Sequence, residues 1–434
     1  MRATPLRTSQ PWSCTVASSA NRPTAAGSAT TTAAACTVAA RAYPFSEPHQ
    51  LDLDPLYTKL QEEEPVCRVQ MPYGEQSWLA IGYRDVRTVL ADPRFSLAAG
   101  RGRDEPRIRP RQLSEERSLM GMDPPELTRL RRLVARAFTP RRAQQLRPGI
   151  QKIADEIVGQ MTECGPPIDL VEDFALPFSI AVICELLGVP YEDRHDFRTW
   201  VKAFVTASCL SEEETGERIA RLVDYMAALI AERREKPAAD LLSAMIQARD
   251  HHDRLTEDEL LHLAVVLLVA GYETLANQIP NSVYLLLTHP EQLTFLRQRP
   301  EHMPCAVDEL LRYIPSGNAG ALFPRYATED VLLGGCTVKA GDPVLISLHA
   351  ANRDPLVFPD PHTLDLTRTP NPHIGFGYGA HTCLGAHLAK VEIEIALDAL
   401  LRRFPVLRME PNADAVEWKK GMVLRGPSCM PVAW

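Results

Sequence analysis

The chain has 434 residues, a formal net charge of −8, and 45% hydrophobic and 24% charged residues. Its length is sufficient for a large buried core, and its composition is that of an ordinary soluble globular protein. The acidic balance gives no general basic signal, so we expect no nucleic-acid partner.

Ten cysteines lie along the chain without regular spacing and without a secretory signal. The absence of CxxC and CxxCH pairs excludes zinc ribbons and covalently attached heme. This usage predicts free thiols in a reducing cytoplasm. The strongest apolar run, residues 260–271, contains His262 and is too short to span a bilayer, so we expect no membrane association.

Residues 1–41 are rich in Ala, Thr and Ser, and their only charged side chains are arginines. This composition predicts a disordered tail, or residues that precede the true start of translation. A transit peptide is the alternative. We expect residues 42–434 to form one domain.

The first predicted elements are a β-hairpin and two helices. Residues 65–81 are typical of a hairpin that turns at Pro72 to Gly74, and a helix is predicted over 83–90. The arginine-rich residues 96–117 predict a solvated loop, or alternatively a loop in which one arginine meets a polar substrate group. The sequence Asp-Pro-Pro-Glu at 123–126 opens a second helix.

The middle of the chain is predicted to be helical. Residues 168–190 indicate a buried helix, and residues 195–235 indicate two amphipathic helices around Ser211. Thr256 and Glu259 form a capping box that begins a long apolar helix, which extends to about Leu287 with a kink at Pro280.

Within the apolar helix, two small residues precede an acid and an alcohol: Ala270, Gly271, Glu273 and Thr274. The small pair leaves space beside the helix, and the acid and the alcohol can supply and relay protons. Alternatively, the threonine bonds the carbonyl four residues back in an ordinary core helix. Helical spacing places Val266 and Val269 near the same face.

The sequence GFGYGAHTCLGAHLAK at 375–390 surrounds Cys383. Its glycines permit tight turns and close approach to a flat partner. A thiolate just before a helix N-terminus is stabilised by the free amides and the helix dipole. This pattern predicts that Cys383 is a soft anionic ligand for a metal; the alternative is a buried thiol in a glycine-rich turn.

These stretches resemble the cytochrome P-450 family. FGxGxHxCxG matches at every fixed position, and the chain also carries DPPExTRLRR, AGxET, ExxR and FPRYATEDV. The resemblance covers about nine-tenths of the chain, from residue 42. It implies a mostly α-helical (α+β) fold, a single triangular domain with small β-sheets and a long central helix over a heme.

The resemblance also implies heme b with an axial thiolate and assigns roles to particular residues. Cys383 would ligate the iron. Other groups would be the cofactor contacts Arg131, Arg325, His381, Phe376, Gly377, Ala270 and Gly271; the catalytic pair Thr274 and Glu273; the pocket residues Val266, Val269 and Asn318; and a structural network of Glu309, Arg312 and Arg368. Leu127 departs from the family pattern, because many relatives have a residue there that donates a hydrogen bond to a heme propionate.

By resemblance, the chain is a soluble bacterial monooxygenase, similar to members of actinomycete natural-product pathways. The implied substrates are O2 and a small secondary metabolite such as a macrolide, polyketide or cyclic peptide. Since no flavin or iron–sulfur motif is present, a ferredoxin and an NAD(P)H-dependent ferredoxin reductase would supply electrons. The ferredoxin would dock on a basic face made by Arg131, Arg132, Arg141, Arg142 and Lys390. The alternatives are an oxidative ring-coupling enzyme and a heme- or ligand-binding protein without turnover.

Overall fold

Helices dominate the protein. The computed structural model describes residues 39–47, 49–108, 119–190, 193, 196–197, 199–201, 210–250, 255–317, 323–410 and 416–434. Their α-helices are α1 (Pro55–Glu63), α2 (Tyr83–Ala91), α3 (Glu126–Val134), α4 (Pro140–Cys164), α5 (Leu176–Leu187), α6 (Glu212–Glu235), α7 (Leu241–Asp250), α8 (Glu257–Thr288), α9 (Pro290–Gln298), α10 (Met303–Tyr313), α11 (Leu348–Ala351) and α12 (Ala386–Arg403). The predicted mostly helical class is confirmed.

The strands are short. They are β1 (Arg41–Ala42), β2 (Val66–Gln70), β3 (Ser77–Ala80), β4 (Phe95–Ser96), β5 (Ile168–Asp169), β6 (Arg325–Ala327), β7 (Val331–Leu333), β8 (Cys336–Val338), β9 (Pro343–Ile346), β10 (Arg408–Met409), β11 (Glu417–Trp418), β12 (Pro427–Cys429) and β13 (Pro431–Ala433). One sheet has the order β1-β2-β3-β9-β6-β4, and smaller ones are β10-β13-β5, β11-β12 and β7-β8.

The predicted hairpin is the antiparallel pair β2–β3, in which Cys67 lies opposite Leu79. The strand β1 pairs with β2 in parallel, and the amide of Tyr43 continues the pairing to the carbonyl of Gln70 at 2.9 Å. The folded chain therefore includes Arg41, which lies just before the predicted domain boundary at residue 42.

The long helix α8 lies at the centre of the helical packing. Its capping box is confirmed, since the Thr256 hydroxyl accepts from the Glu259 amide and the Glu259 carboxylate accepts from the Thr256 amide. The helices α5, α6 and α12 all pack against it. Its length and apolarity would suffice to cross a membrane, but more than half of its apolar window is buried inside the protein, as in a core helix. The helix continues through Pro280.

The prediction of one helix over 168–190 is wrong at its start. Residues Ile168–Asp169 form β5, and Val171–Ala175 form a π-helical turn before α5 begins at Leu176. The apolar residues of this stretch are buried on every side, so helical periodicity could not separate the strand from the helix. By contrast, the predicted start of α6 is confirmed by the capping box of Ser211 and Glu214.

Candidate active site

The loop before α12 presents Cys383. Gly377 and Gly379 have φ values of +75° and +74°, which side-chain-bearing residues rarely adopt. A Cβ at Gly379 would also lie 2.5 Å from the carbonyl oxygen of Leu90. The loop is closed by the Cys383 amide, which donates to the Phe376 carbonyl at 2.8 Å. The glycines therefore fix the cysteine just before the helix N-terminus.

The Cys383 side chain is accessible and yet surrounded by protein. Cys383 is exposed, but burial among neighbouring atoms raises the pKa of its thiol. The Gly385 amide and the positive charge of Arg131 oppose this rise. Exposure together with dense surroundings indicates that the sulfur lies in a recess, open on one side and enclosed by protein on the others. The expected stabilisation of the thiolate by the helix terminus is present but is smaller than the effect of burial.

Two arginines and a histidine gather beside this loop. The Arg131 guanidinium donates to the Thr382 carbonyl, with 2.5 Å between Nη2 and O. Arg325 is only 7% exposed, and burial lowers its pKa to about 10. Burial and the charges of Arg325 and Arg131 lower the pKa of His381 to about 4. The three groups therefore act on one another electrostatically.

This cationic cluster lacks a carboxylate partner. Among the described residues, neither Arg131 nor Arg325 has a carboxylate within ion-pair distance, and Nε2 of His381 is buried without a hydrogen-bond partner. Nearby Asp123 accepts instead from Ser96 and from backbone amides. Buried cations of this kind require an anion. The cluster fits the two carboxylates of a heme and, with the thiol, matches the donor set of that group.

Leu127 lies one turn before Arg131 and is 1% exposed in the hydrophobic core. It has no donor group and packs against apolar neighbours. This position therefore adds no fourth hydrogen-bond donor to Arg131, Arg325 and His381.

One face of α8 opens onto a recess. Ala270 and Thr274, one turn apart, are exposed within a helix that is otherwise largely buried, and Val266 and Val269 are partly exposed. The Thr274 hydroxyl donates to the Ala270 carbonyl at 2.7 Å, as in the alternative interpretation of this threonine. Its oxygen lone pairs remain able to accept a proton or a hydrogen bond.

Gly271 lies on a different face from the one expected. A Cβ at this position would lie 2.6 Å from Cδ1 of Ile183 on α5. Its small size therefore permits the close packing of α5 on α8. Only Ala270 of the small pair lies with Thr274 on the exposed face.

Glu273 and Thr274 are not brought together. Glu273 is 6% exposed, and its Oε1 atom lies 3.1 Å from Nζ of Lys419, near the C-terminus. The Asn277 amide also donates to Oε1 at 3.3 Å. Consecutive helical residues point about 100° apart, which separates the acid from the alcohol.

A buried ion-pair network lies beneath the cysteine loop. The Arg312 guanidinium donates to both oxygens of Glu309 at 2.7 Å, and both side chains are fully buried. Arg368 and Asn371 donate to the same carboxylate at 3.2 and 3.1 Å. Three further donations reach the carbonyls of residues 352, 361 and 363. The structure therefore places Glu309, Arg312 and Arg368 in one buried cluster. The predicted pocket residue Asn318 lies outside the described residues.

The sequence analysis did not single out two buried ionisable side chains. Lys419 reaches Glu273 across 146 residues, and no local signal marks such a contact. Glu392 on α12 is 4% exposed, and burial raises its pKa to about 8. An acid inside the apolar run LAKVEIEIAL was a visible signal for Glu392.

Comparison with known proteins gives consistent matches. A family model described as Cytochrome P450 matches residues 48–429. Mycinamicin IV hydroxylase/epoxidase of Micromonospora griseorubida is 52% identical, over 91% of this chain and 98% of that protein. Nocardicin C N-oxygenase of Nocardia uniformis subsp. tsuyamanensis is 47% identical, over 91% of this chain and 98% of that protein. The crystal structure of cytochrome P450mel 107F1, with biaryl coupling reactivity, has a TM-score of 0.87 and 42% identity, and covers 91% of this chain and 100% of that one.

Proposed function

This chain belongs to the cytochrome P450 family, and we propose that it is a monooxygenase that hydroxylates or otherwise oxidatively tailors a macrolide or a related secondary metabolite. The observation that carries this proposal is the Cys383 thiol, held in a recess beside the half-buried Arg131 and the buried Arg325, neither of which has a carboxylate partner in the part of the chain that the structure describes. A thiol and a dianion-binding cluster at one site suit a heme and little else.

The family's cofactor is heme with an axial cysteine thiolate. When bound, the heme supplies the binding and reductive activation of O2. We propose that Cys383 provides the thiolate and that Phe376 and Gly377 form the loop wall beside it. Arg131 and Arg325 would neutralise the two propionates, and Nε2 of His381 would add a hydrogen bond. Glu309, Arg312 and Arg368 would hold the loop in position from below.

The exposed face of α8 is proposed to line the reaction site. Ala270 has no side chain beyond Cβ, which leaves space for a small ligand. The Thr274 hydroxyl can accept a proton and pass one on, while Glu273 is the nearest acid along the helix. Because Glu273 is buried and paired with Lys419, a proton must pass from it to the exposed face through a side-chain rotation or a chain of water molecules. Val266, Val269 and Asn318 are proposed substrate contacts.

The substrate class is supported by the relatives. One relative is named for mycinamicin IV and another, 39% identical, is 6-deoxyerythronolide B hydroxylase of Saccharopolyspora erythraea. Oxidative coupling is the second candidate, because P450mel 107F1, with its biaryl coupling reactivity, shares this fold at a TM-score of 0.87. A product that gains one oxygen atom supports hydroxylation, and a dimeric or cyclised product without added oxygen supports coupling.

We propose that a ferredoxin and its reductase supply the electrons. Within the described residues, Arg132, Arg136, Arg141 and Arg142 on and between α3 and α4 are exposed and have no ion pair. The helix α3 is joined to the cysteine loop through Arg131. Arg131 itself and Lys390, which pairs with Asp308 at 2.5 Å, are engaged elsewhere and contribute little to a docking face. An acidic ferredoxin would bind the exposed set.

We propose a cytoplasmic location because several cysteines are free thiols. The thiols of Cys67, Cys164, Cys305, Cys383 and Cys429 are free, as expected in a reducing compartment. This supports access to soluble electron donors.

The proposal is tested with the purified heme-loaded protein, a ferredoxin, its reductase and NADPH. Mycinamicin IV and 6-deoxyerythronolide B are screened first for the spectral shift that accompanies substrate binding, and then for products by mass spectrometry. NADPH-dependent formation of an oxidised product supports the proposal. Tight binding across a broad macrolide and polyketide panel without any product would overturn it in favour of a binding protein.

A further inference from the structure

The hairpin formed by β11 and β12 runs along one face of α8. Four contacts connect them: Lys419 with Glu273, Gly426 with Asn277, the Arg425 carbonyl with Asn281 at 3.0 Å, and Trp418 with Tyr284 at a centroid distance of 5.1 Å. The helical residues are spaced by four, four and three positions, which is the repeat of a single helical face. The C-terminal hairpin is thus fastened to α8 over about three turns.

The ion pair at the end of this face is enclosed. The Lys419 and Glu273 side chains are 15% and 8% exposed, and Nζ lies 3.1 Å from Oε1. Within the described residues, no other cation lies within ion-pair distance of Glu273. An enclosed pair differs from a surface pair, because removal of one partner leaves an uncompensated charge in the interior. The orientation of the Glu273 carboxylate therefore depends on Lys419.

The hairpin geometry fixes Lys419 in turn. Its amide donates to the Gly426 carbonyl at 3.0 Å, which brings the two strands together. A Cβ at Gly426 would lie 2.4 Å from Oδ1 of Asn277. Glycine at this position therefore permits the close approach of the hairpin to α8 that lets the lysine reach the acid.

We propose that Lys419 is a positioning residue for oxygen activation, one that holds the carboxylate of Glu273 on the hairpin face of α8. In this orientation the carboxylate is held against the hairpin. Helical spacing places Glu273 about 100° from Thr274 and about 60° from Ala270. The position of the hairpin then controls when Glu273 exchanges protons with the recess. The inference rests on the proposed function, since it gives Glu273 a role in proton supply.

The functional test compares Lys419→Met, Lys419→Arg and the neighbouring exposed control Lys420→Met. Heme-loaded protein is supplied with a plant-type ferredoxin, its reductase and NADPH, without organic substrate. Reduction of O2 to peroxide consumes one NADPH and one proton, and reduction to two waters consumes two of each. The ratio of peroxide formed to NADPH consumed therefore reports proton supply at the recess.

Lys419→Met is expected to change this ratio by about twofold or more, because the acid loses its fixed orientation. Lys419→Arg should restore the wild-type ratio, and Lys420→Met should leave it unchanged. Equal ratios in Lys419→Met and Lys420→Met, or failure of arginine to restore the wild-type value, would overturn the inference. A wild-type protein that neither binds heme nor consumes NADPH would instead contradict the proposed function.

A second readout does not depend on turnover. The melting temperatures of Lys419→Met, Glu273→Gln and the double variant form a double-mutant cycle. If the two side chains form an ion pair, the melting temperature of the double variant should fall by less than the sum of the falls in the two single variants. Additive losses would show that the two side chains do not interact, and the inference would fail.

Discussion

The guanidinium of Arg131 on α3 donates to the backbone carbonyl of Thr382, the residue immediately before Cys383, with 2.5 Å between Nη2 and O. A single arginine therefore both stabilises the thiolate electrostatically and secures the loop that carries it. The sequence motif around Arg131 and the motif around Cys383 are 251 residues apart and form one site.

Arg312→Leu is expected to destabilise the protein by about 3–5 kcal/mol, because it leaves Glu309 buried with an incomplete set of partners. The measurement is the shift in the denaturant midpoint. Arg402→Leu is the matched control, since its pair with Asp155 is more than half exposed on both sides and its loss should have no measurable effect. Equal midpoints for the two variants would contradict a structural role for the network.

Gly271→Ala is expected to lower stability by about 1–3 kcal/mol, because the new Cβ would overlap Cδ1 of Ile183. In an Ile183→Ala background the same substitution should cause no loss, since the overlapping atoms are gone. Unfolding curves of the four proteins measure the difference. An identical loss in both backgrounds would show that Gly271 has a role other than packing against α5.

Glu392 predicts a pH dependence of stability. Its folded pKa of about 8 lies above the ordinary value of 4.5, so the folded state binds the proton more tightly than the unfolded state. The resulting stabilisation of the folded state is fully present below pH 4.5 and is lost as the pH rises through 8. On the order of 3 kcal/mol of the free energy of unfolding is lost by pH 7. Glu392→Gln should flatten the fall in melting temperature across this window. Asp398→Asn, a more exposed acid on the same helix, should leave the fall unchanged; a wild-type-like fall in Glu392→Gln would refute the assignment.

Thr274→Val is expected to reduce the rate of product formation on the order of 100-fold while NADPH consumption continues and yields peroxide. Valine keeps the shape of threonine and removes only the hydroxyl group. Thr288→Val is the control, because that hydroxyl also bonds a carbonyl of α8 but lies at the far end of the helix. Product formation at the control rate in Thr274→Val would exclude the hydroxyl from proton transfer.

Local signals in the sequence predicted local structure well. The capping box at Thr256 and the hairpin at 65–81 are each determined by side chains within a few residues, and each is confirmed. Residues 168–175 were predicted wrongly because all of their apolar side chains are buried, which removes the hydrophobic periodicity that separates a strand from a helix.

For the candidate site, the sequence motifs indicate which residues to consider but not how their side chains are oriented. Motifs place Glu273 next to Thr274 in the sequence, whereas the helix separates their side chains and Lys419 fixes the acid from a distant hairpin. Gly271 likewise belongs to the interface with α5 and not to the recess. Such relationships depend on long-range packing, which a single sequence does not encode in any local pattern.

The most direct test of the account is the absorption spectrum of the reduced, CO-treated protein. A thiolate from Cys383 predicts the red-shifted Soret band that characterises thiolate-ligated heme, and Cys383→Ser should abolish it. Cys305→Ser, which alters an exposed cysteine elsewhere, should retain the band. A Cys383→Ser protein that keeps the red-shifted band would contradict the assignment of Cys383 as the iron ligand.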